Sequence, residues 1–372
     1  MKVLSVFGTR PEATKMVPLV LAMDAHPQID SKICVTAQHR ELLDQVLKPF
    51  DIVPDFDLNI MSVGQTLTDI TTKVLQGLAP VLAEFNPDIL LVHGDTTTTF
   101  AASLAAFYAR VKVGHVEAGL RSHDKYRPYP EEINRKLTTA IADLYFAPTL
   151  QSRDNLLKEN IPEKLISITG NTAIDFIRYT VKDDYRFQAE ELNSIDFTKR
   201  IILMTAHRME NRGKPMEDIC HAVKRIVRDN PDVFLVWPVH PGKAVVEPAH
   251  AILGDQERIL LTQPLDVFDM HNLMKRAYLL LTDSGGLQEE SPSFNLPTVV
   301  LREVTERPEG LIAGTLVLAG VNTDNIYNEA TRLLTDKEAH AKMAAVPNPF
   351  GDGKASERII QRILTEMEAH KC

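Results

Sequence analysis

The chain has 372 residues, and its 41 Lys and Arg against 50 Asp and Glu give a formal net charge of −9 at pH 7. With a sequence pI of about 5.8, it lacks the basic surface that nucleic acids require, so we expect no nucleic-acid partner. The length exceeds that of one ordinary core and predicts two domains. The three cysteines, at positions 34, 220 and 372, form no CxxC pair, so neither a disulfide framework nor a zinc site is expected.

Sequence signals of several other protein classes do not occur. A strand-like apolar run begins at Met1 without a signal peptide, and no apolar run reaches the roughly 20 residues of a membrane span. We therefore predict a cytoplasmic protein with no membrane partner. The sequence has no GxGxxG, Walker A, HExxH or EF-hand motif, so we expect no nicotinamide or other cofactor, no ATP hydrolysis and no metal.

Short runs rich in Val, Ile and Leu alternate with amphipathic stretches along the whole chain. Continuous apolar runs separated by helices are typical of parallel sheets with helices on both faces, so we predict an α/β fold. The series occurs twice, and the polar gap at about 175–199 indicates a linker between two Rossmann-like domains, 1–172 and 173–353. A helix at about 354–372 is expected to pack back on the first domain. The predicted strands are 2–8, 32–37, 89–94, 112–116, 143–147, 165–169, 200–206, 233–239, 258–262, 277–282, 297–302 and 314–319.

Ionisable residues and glycines gather where the predicted strands end. Ligands of open parallel sheets bind outside the carboxyl ends of the strands, so this placement predicts a polar ligand in a cleft between the two domains. The segments concerned are 8–12, 93–95, 115–117, 207–208, 240 and 284–286.

The segment after the strand 277–282 carries the most specific signal for an anion. Ser284, Gly285 and Gly286 follow the apolar run and precede a helical stretch. Two glycines let the backbone approach an anion, and the unpaired N–H groups of the first helical turn point toward it. We therefore predict a phosphate-binding turn, although an ordinary strand-to-helix turn would have the same sequence.

Five further residues are candidates for binding or proton transfer. Arg10 and Lys15 begin the helix after the first strand, where cations are unfavourable unless an anion is near, so we favour a phosphate-binding role over a solvated one. His207 and His240 close two strands of the second half and are either acid–base or binding groups, or structural histidines. Arg307, in the charged segment 305–309, supplies another cation unless this segment is simply a solvated loop.

Three acidic residues of the first half are candidates for catalysis. Asp95 precedes a run of four threonines and is also a good N-cap for the helix that follows. Glu117 has no evident capping role and is the stronger catalytic candidate. Glu131 lies in a predicted first helical turn and could pair with Arg135 at i,i+4, so these residues by themselves favour a structural role for it.

Together these segments resemble the non-hydrolysing bacterial UDP-N-acetylglucosamine 2-epimerases along nearly the whole chain. So many blocks in the same order make a chance match implausible. The blocks are 8–13 (GTRPEA) with Lys15 and Met16, 36–40 (TAQHR), 93–99 (HGDTTTT), 114–121 (GHVEAGLR), 130–135 (PEEINR), 169–172 (TGNT), 283–290 (DSGGLQEE), 305–309 (TERPE) and 348–353 (NPFGDG).

The resemblance implies the glycosyltransferase-B type of fold, with two Rossmann-like domains that close on a UDP-sugar. It also implies reversible inversion at carbon 2 of UDP-N-acetylglucosamine to give UDP-N-acetylmannosamine, by elimination of UDP to a 2-acetamidoglucal and readdition, for cell-surface polysaccharide synthesis. By resemblance the catalytic residues are Asp95, Glu117, Glu131 and His207, which gives Glu131 a functional role after all. The implied substrate-binding residues are Arg10, Lys15, His240, Leu265, Met270, Ser284, Gly285, Gly286, Glu290 at the ribose hydroxyls, and Arg307.

The resemblance further implies a homodimer and, as in bacterial members, a second UDP-N-acetylglucosamine as activator. The chain departs from the family near the expected activator pocket, where Met209 replaces a frequent Arg and residues 241–242 read Pro-Gly in place of Asn-Pro. Met270 stands where an aromatic side chain often flanks the uracil. We therefore expect the backbone around Leu265 to carry more of the uracil recognition.

Three other functions fit parts of the pattern. They are a retaining glycosyltransferase of the same fold, a hydrolysing epimerase that releases N-acetylmannosamine and UDP, and a nucleotide-sugar sensor without catalysis. A sensor has no need to bury several carboxylates near the sugar, which counts against it. Both half-sites of the epimerase occur together in the sequence, so we favour that function.

Overall fold

The computed structural model describes residues 1–37, 40–62 and 64–369. Positions 38 and 39 of the 36–40 block, and positions 370–372 of the predicted last helix, lie outside the described residues. The chain divides into two compact units. Unit 1 contains Met1–Phe176 and Gly351–Cys372, and unit 2 contains Ile177–Phe350. Within the described part of the chain, no helix is long and apolar enough to cross a membrane.

Unit 1 is built on a seven-stranded parallel sheet. Its strands are β1 (Lys2–Phe7), β2 (Asp30–Val35), β3 (Phe56–Asp57), β4 (Ile89–His93), β5 (Lys112–Val116), β6 (Leu144–Ala147) and β7 (Ile166–Ile168). The helices that accompany them are α1 (Arg10–Asp24), α2 (Arg40–Leu47), α3 (Leu67–Phe85), α4 (Thr97–Tyr108), α5 (Glu131–Ile141), α6 (Leu150–Lys158) and α7 (Thr172–Thr180). The strand order is β3-β2-β1-β4-β5-β6-β7, so the winding reverses between β1 and β4.

Unit 2 repeats this plan with six parallel strands. They are β8 (Arg200–Thr205), β9 (Val233–Pro238), β10 (Ile259–Thr262), β11 (Leu279–Thr282), β12 (Thr298–Val300) and β13 (Leu316–Leu318). The helices are α8 (Lys214–Asp229), α9 (Lys243–Leu253), α10 (Val267–Arg276), α11 (Gly285–Glu290), α12 (Pro308–Ala313), α13 (Thr323–Thr335) and α14 (Lys337–Ala344), and α15 (Ala355–Ala369) then belongs to unit 1. The order β10-β9-β8-β11-β12-β13 reverses between β8 and β11.

The side chains of β8 show why these strands read as unbroken apolar runs. Ile202 and Met204 belong to one buried cluster of unit 2, whereas Ile201 and Leu203 belong to another. Alternate residues of a strand point to opposite faces, so both faces of the sheet are covered by apolar side chains. The predicted α/β class, with two parallel sheets surrounded by helices, is confirmed.

Among the described residues, twelve of the thirteen strands overlap predicted ones, and β3 is the exception. It has two residues, Phe56 and Asp57, and pairs with β2 through Cys34 and Val35 only. A two-residue strand at a sheet edge has no apolar run in the sequence, so β3 could not be predicted from periodicity.

The last helix is fixed to unit 1 by a buried carboxylate. α15 packs against α1, and Asp175 on α7 accepts hydrogen bonds from the backbone N–H groups of Ala355 (3.1 Å) and Ser356 (2.7 Å). These N–H groups lie in the first turn of α15 and have no acceptor within their own helix. Asp175 therefore caps a helix that lies 180 residues further along the chain.

Replacing Asp175 by Ala should loosen α15. Two buried N–H groups would lose their acceptor, at a cost of about 1–3 kcal/mol each, so amide hydrogen exchange in peptides covering α15 should become at least about tenfold faster. The matched control is Asp336→Ala, because Asp336 caps α14 at an exposed position and accepts from Glu338 N (3.0 Å) and Ala339 N (2.9 Å). Its loss should cost only about 1 kcal/mol. Equal effects of both substitutions, each measured in its own helix, would contradict the capping role of Asp175.

Candidate functional site

The predicted residues of unit 1 follow the carboxyl ends of β1, β4 and β5. Arg10 is the first residue of α1 and Lys15 lies one turn further along, while Asp95 follows β4 and Glu117 follows β5. β1 and β4 flank the point where the strand order reverses, which is where open α/β sheets leave a crevice for ligands. The fold thus brings residues from distant parts of the sequence to one edge of this sheet.

The buried carboxylate of Glu12 joins the loops after β1 and β4. It accepts hydrogen bonds from the N–H groups of Gly8 (3.1 Å) and Thr9 (2.8 Å), and from the hydroxyls of Thr96 (2.8 Å) and Thr99 (3.3 Å). Burial raises the pKa of Glu12, and these donors oppose that effect. Sequence reasoning assigned no role to Glu12, and its position in the 8–13 block was the signal available.

Glu117 is held by groups from three other segments. Its carboxylate forms an ion pair with Lys15 of α1 and accepts a hydrogen bond from Asn171 Nδ2 (3.2 Å), and His93 Nε2 lies 3.7 Å from the same oxygen. Its φ of 64° is in the left-handed region, which residues other than glycine rarely adopt. These contacts together hold the carboxylate in one position, and no local sequence pattern predicts that His93 and Asn171 contact it.

Two histidines near Glu117 are neutral at physiological pH. Burial lowers the pKa of His93 to about 3 and that of His115 to about 4, in each case as the largest effect. His115 Nε2 lies 2.7 Å from the carbonyl oxygen of Gly94, so the neutral ring donates its proton there. The Nε2 atom of His93 is buried, with no hydrogen-bond partner among the described residues.

The structural roles considered for Asp95 and Glu131 are not the ones that the structure shows. Thr96 is the N-cap of α4 and accepts from Thr99 N (3.1 Å), so the capping role considered for Asp95 is wrong. Asp95 instead pairs with Arg135 at 2.5 Å, and Arg135 also pairs with Glu132 at 3.2 Å. The i,i+4 pair considered for Glu131 and Arg135 is therefore wrong as well, because Arg135 reaches back to the loop after β4.

Glu131 itself is the first residue of α5. Its Oε2 atom is buried and has no hydrogen-bond partner in the part of the chain that the structure describes. Burying a carboxylate oxygen without a hydrogen-bond donor costs free energy. Such unpaired oxygens are common where a ligand supplies the missing donor.

In unit 2 the buried Asp283 joins the loops after β8 and β11. Its Oδ2 accepts from the backbone N–H groups of His207 and Arg208, both at 2.8 Å, and from Asn211 Nδ2 at 3.0 Å. The His207 ring stacks on that of His240, with ring centres 5.7 Å apart. Burial, helped by the charges of His240 and Arg208, lowers the pKa of His207, although the nearby Asp283 acts in the opposite direction.

The predicted phosphate-binding turn has two arginines beside it. Ser284 is the N-cap of α11, and a Cβ atom added to Gly285 would lie 3.3 Å from Arg307 Nη2 and 3.7 Å from Arg208 Nη2. Glycine leaves room for both guanidinium groups next to the backbone. The buried Glu289 pairs with Arg307 at 2.5 Å, so one of these cations already has an anionic partner within the protein.

The other predicted residues of unit 2 are Glu290, Leu265 and Met270. Glu290 Oε2 lies 3.3 Å from Nε2 of the buried His271, whose Nδ1 is 2.6 Å from Thr180 Oγ1. Leu265 and Met270 are half-buried and pack against the apolar cluster that also holds Leu287. No described group of three or more His, Cys, Asp or Glu side chains could hold a metal ion.

Comparisons with known proteins show similarity along nearly the whole chain. The family model described as UDP-N-acetylglucosamine 2-epimerase matches residues 21–364. The UDP-N-acetylglucosamine 2-epimerase of Bacillus subtilis is 55% identical over 364 residues, 98% of this chain and 95% of that protein. The enzyme of that name from Salmonella typhimurium is 53% identical over 369 residues, 98% of each chain.

A solved structure extends the similarity to three dimensions. The UDP-GlcNAc 2-epimerase of Neisseria meningitidis, bound to UDP-GlcNAc, superposes with a TM-score of 0.88 at 45% identity and covers 98% of this chain and 100% of its own. The match spans both units and confirms the family predicted from the sequence blocks. The chain belongs to the UDP-N-acetylglucosamine 2-epimerase family.

Proposed function

We propose that the protein interconverts UDP-N-acetylglucosamine and UDP-N-acetylmannosamine by reversible inversion at carbon 2, in the supply of cell-surface polysaccharide synthesis. The observation that carries the proposal is the full-length match to the Bacillus subtilis enzyme at 55% identity. Such a reaction needs groups that stabilise positive charge at the sugar and groups that stabilise negative charge on the diphosphate. We propose that the carboxylates of unit 1 supply the first and the arginine-flanked turn of unit 2 the second.

The reaction begins with elimination, because the proton on carbon 2 is not adjacent to a carbonyl and is only weakly acidic. The bond from carbon 1 to the diphosphate oxygen breaks, a base takes the proton of carbon 2, and a 2-acetamidoglucal and UDP result. Readdition of UDP to carbon 1, with proton delivery to the opposite face of carbon 2, gives the epimer. The atoms of substrate and product are the same, so the reaction consumes no cofactor.

Positive charge develops at carbon 1 while negative charge develops on the departing diphosphate. Asp95, Glu117 and Glu131 are proposed to stabilise the first, since carboxylates beside the ring oppose an oxocarbenium-like charge. Arg10, Arg307, His240 and the turn 284–286 are proposed to stabilise the second. The lowered pKa of His207 supports a neutral ring able to accept a proton.

Unit 2 is proposed to recognise the nucleoside. Glu290 would hold the ribose hydroxyls, with its carboxylate oriented by the buried His271. Met270 and the backbone around Leu265 would contact the uracil, and both side chains rest on the unit 2 core.

Replacing Glu117 by Gln should lower kcat at least about 100-fold, because the amide cannot exchange a proton or oppose positive charge. The affinity for UDP should change less than about threefold, since Glu117 is proposed to act on the sugar. Turnover is measured by proton NMR and UDP binding by calorimetry. Glu163→Gln, at an exposed carboxylate, is the matched control for charge. A variant that kept most of its turnover would remove Glu117 from the catalytic group.

In heavy water, incubation with either UDP-sugar should place deuterium at carbon 2 and lead to the same mixture of the two epimers. NMR of the products separates the alternatives. Free N-acetylmannosamine with UDP would indicate a hydrolysing epimerase, and binding without deuterium incorporation would indicate a sensor. A glycosyltransferase would form no UDP-N-acetylmannosamine in the absence of an acceptor.

We also propose that the protein forms a homodimer through the end of α4. Phe107 and Tyr108 are 60% and 71% exposed there, and their rings lie 6.3 Å apart. Both border a surface cavity of about 520 Å³ that Asp143 also lines, and Tyr108 borders a second cavity of about 280 Å³ that Leu75 also lines. Exposed aromatic rings beside such cavities are typical of protein interfaces.

The substitution Phe107→Glu should convert the dimer to a monomer at micromolar concentration, because the interface would have to bury an unpaired charge. Ile312→Glu is the matched control, since Ile312 is 85% exposed on α12. Analytical ultracentrifugation gives the masses. A wild-type monomer, or a dimer that persists in the Phe107 variant, would count against this interface.

A further inference from the structure

Glu306 carries a carboxylate that lies among three arginines of unit 2. Its Oε1 is 3.4 Å from Arg302 Nη2, and its Oε2 is 3.8 Å from Arg307 Nη1. Burial acts to raise the pKa of Glu306, but the charges of Arg302, Arg208 and Arg307 together outweigh it and lower the pKa. The carboxylate is therefore an anion in the field of several guanidinium groups.

Arg307 has a second carboxylate partner of a different kind. Glu289 Oε1 lies 2.5 Å from Arg307 Nε, and the Glu289 side chain is only 3% exposed, against 52% for Glu306. A buried charge-assisted hydrogen bond fixes the guanidinium plane, whereas a long contact at a half-exposed position is weak and easily exchanged. Glu289 therefore anchors Arg307, whereas the contact between Glu306 and Arg307 is weak.

Two of the three arginines lie beside Gly285. Arg307 Nη2 and Arg208 Nη2 would be 3.3 and 3.7 Å from a Cβ atom at that position. Arg302, which is 10% exposed, also pairs with Glu210 at 3.1 Å, and its Nε and Nη1 atoms are buried with no hydrogen-bond partner in the described segments. Close guanidinium groups repel one another, so a loosely held carboxylate among them lowers the electrostatic cost of their arrangement.

We propose that Glu306 is an internal counter-ion, which partly neutralises Arg302 and Arg307 until the diphosphate of UDP replaces it. The inference rests on the proposed function, since it takes the diphosphate as the incoming anion. Glu306 acts through Arg307 and is a positioning residue that sets affinity, not a catalytic residue. The nucleotide must displace a carboxylate that competes for the same cations, so Glu306 weakens UDP binding and speeds UDP release.

A purely structural role for Glu306 predicts the opposite sign. If its carboxylate were needed to orient Arg307, neutralising it would weaken the binding of UDP. If it is a competitor, neutralising it strengthens binding. Loss of an ordinary structural contact does not increase affinity for a ligand, which makes the sign of the change decisive.

The test is calorimetric titration of the full-length protein with UDP, together with stopped-flow release of UDP. Glu306→Gln should bind UDP about three- to fivefold more tightly, the upper part of the range expected for a half-exposed ion pair, mainly through slower release. Because the effect is electrostatic, it should shrink toward unity near 1 M salt. The KM for UDP-N-acetylglucosamine should fall in parallel.

Three further variants make the result specific. Glu306→Asp keeps the charge and should bind UDP as the wild type does. Glu289→Gln should bind at least about tenfold more weakly, because Arg307 loses its anchor. Glu329→Gln makes the same charge change at a residue paired with Arg332 (2.8 Å), and its UDP affinity should stay within about twofold of wild type.

An unchanged or weaker affinity in Glu306→Gln, with wild-type melting temperature, would overturn the counter-ion role while leaving the proposed function intact. A tighter Glu306→Gln whose gain persisted at high salt would also overturn it, since the cause would not be charge. A wild-type protein that binds no UDP would instead refute the proposed function, and the counter-ion role with it.

Discussion

The carboxyl edge of each sheet depends on a buried carboxylate that joins two neighbouring loops through hydrogen bonds. Glu12 does this in unit 1 for the loops after β1 and β4, and Asp283 does it in unit 2 for the loops after β8 and β11. These are the strands between which the order of each sheet reverses. Loop N–H groups at that edge have no sheet partner, and a carboxylate can satisfy several at once, which offsets the cost of burying its charge.

The acidic residues of the chain divide by what surrounds them. Glu12, Asp283 and Glu289 are buried and have several donors or a close guanidinium, so their positions are fixed before any ligand arrives. Glu306 and Asp95 are more exposed and each pairs with an arginine. A site that binds an anion through arginines needs both kinds, because the first holds the cations in place and the second limits their mutual repulsion while the site is empty.

Sequence reasoning succeeded where the signal was local and failed where it depended on distant partners. Long apolar runs predicted every strand except β3, and the ends of those runs predicted where Arg10, Glu117 and Ser284 would lie. The N-cap of α4 lies one residue after Asp95, which was considered as an alternative for that role. Several adjacent residues could cap α4 equally well on propensity. The partner of Arg135 could not be found, because Asp95 is 40 residues away and an i,i+4 neighbour is always nearer in sequence. The roles of Glu12, Asp283 and Arg302 required the fold itself, since each joins segments that no local pattern connects.

The surroundings of Glu117 bear on the proposed reversibility. Lys15 stabilises the carboxylate form of Glu117, and His93 beside it cannot take up a proton near pH 7 because burial lowers its pKa to about 3. In the proposed elimination, a proton that reaches this cluster therefore has no stable place on the histidine, and it either stays on a carboxylate in competition with Lys15 or passes to solvent, the source of the deuterium expected at carbon 2 in heavy water. A base that retained the proton strongly would not be free to act in the next turnover. The paired lysine thus favours the unprotonated carboxylate that the proposed reaction needs.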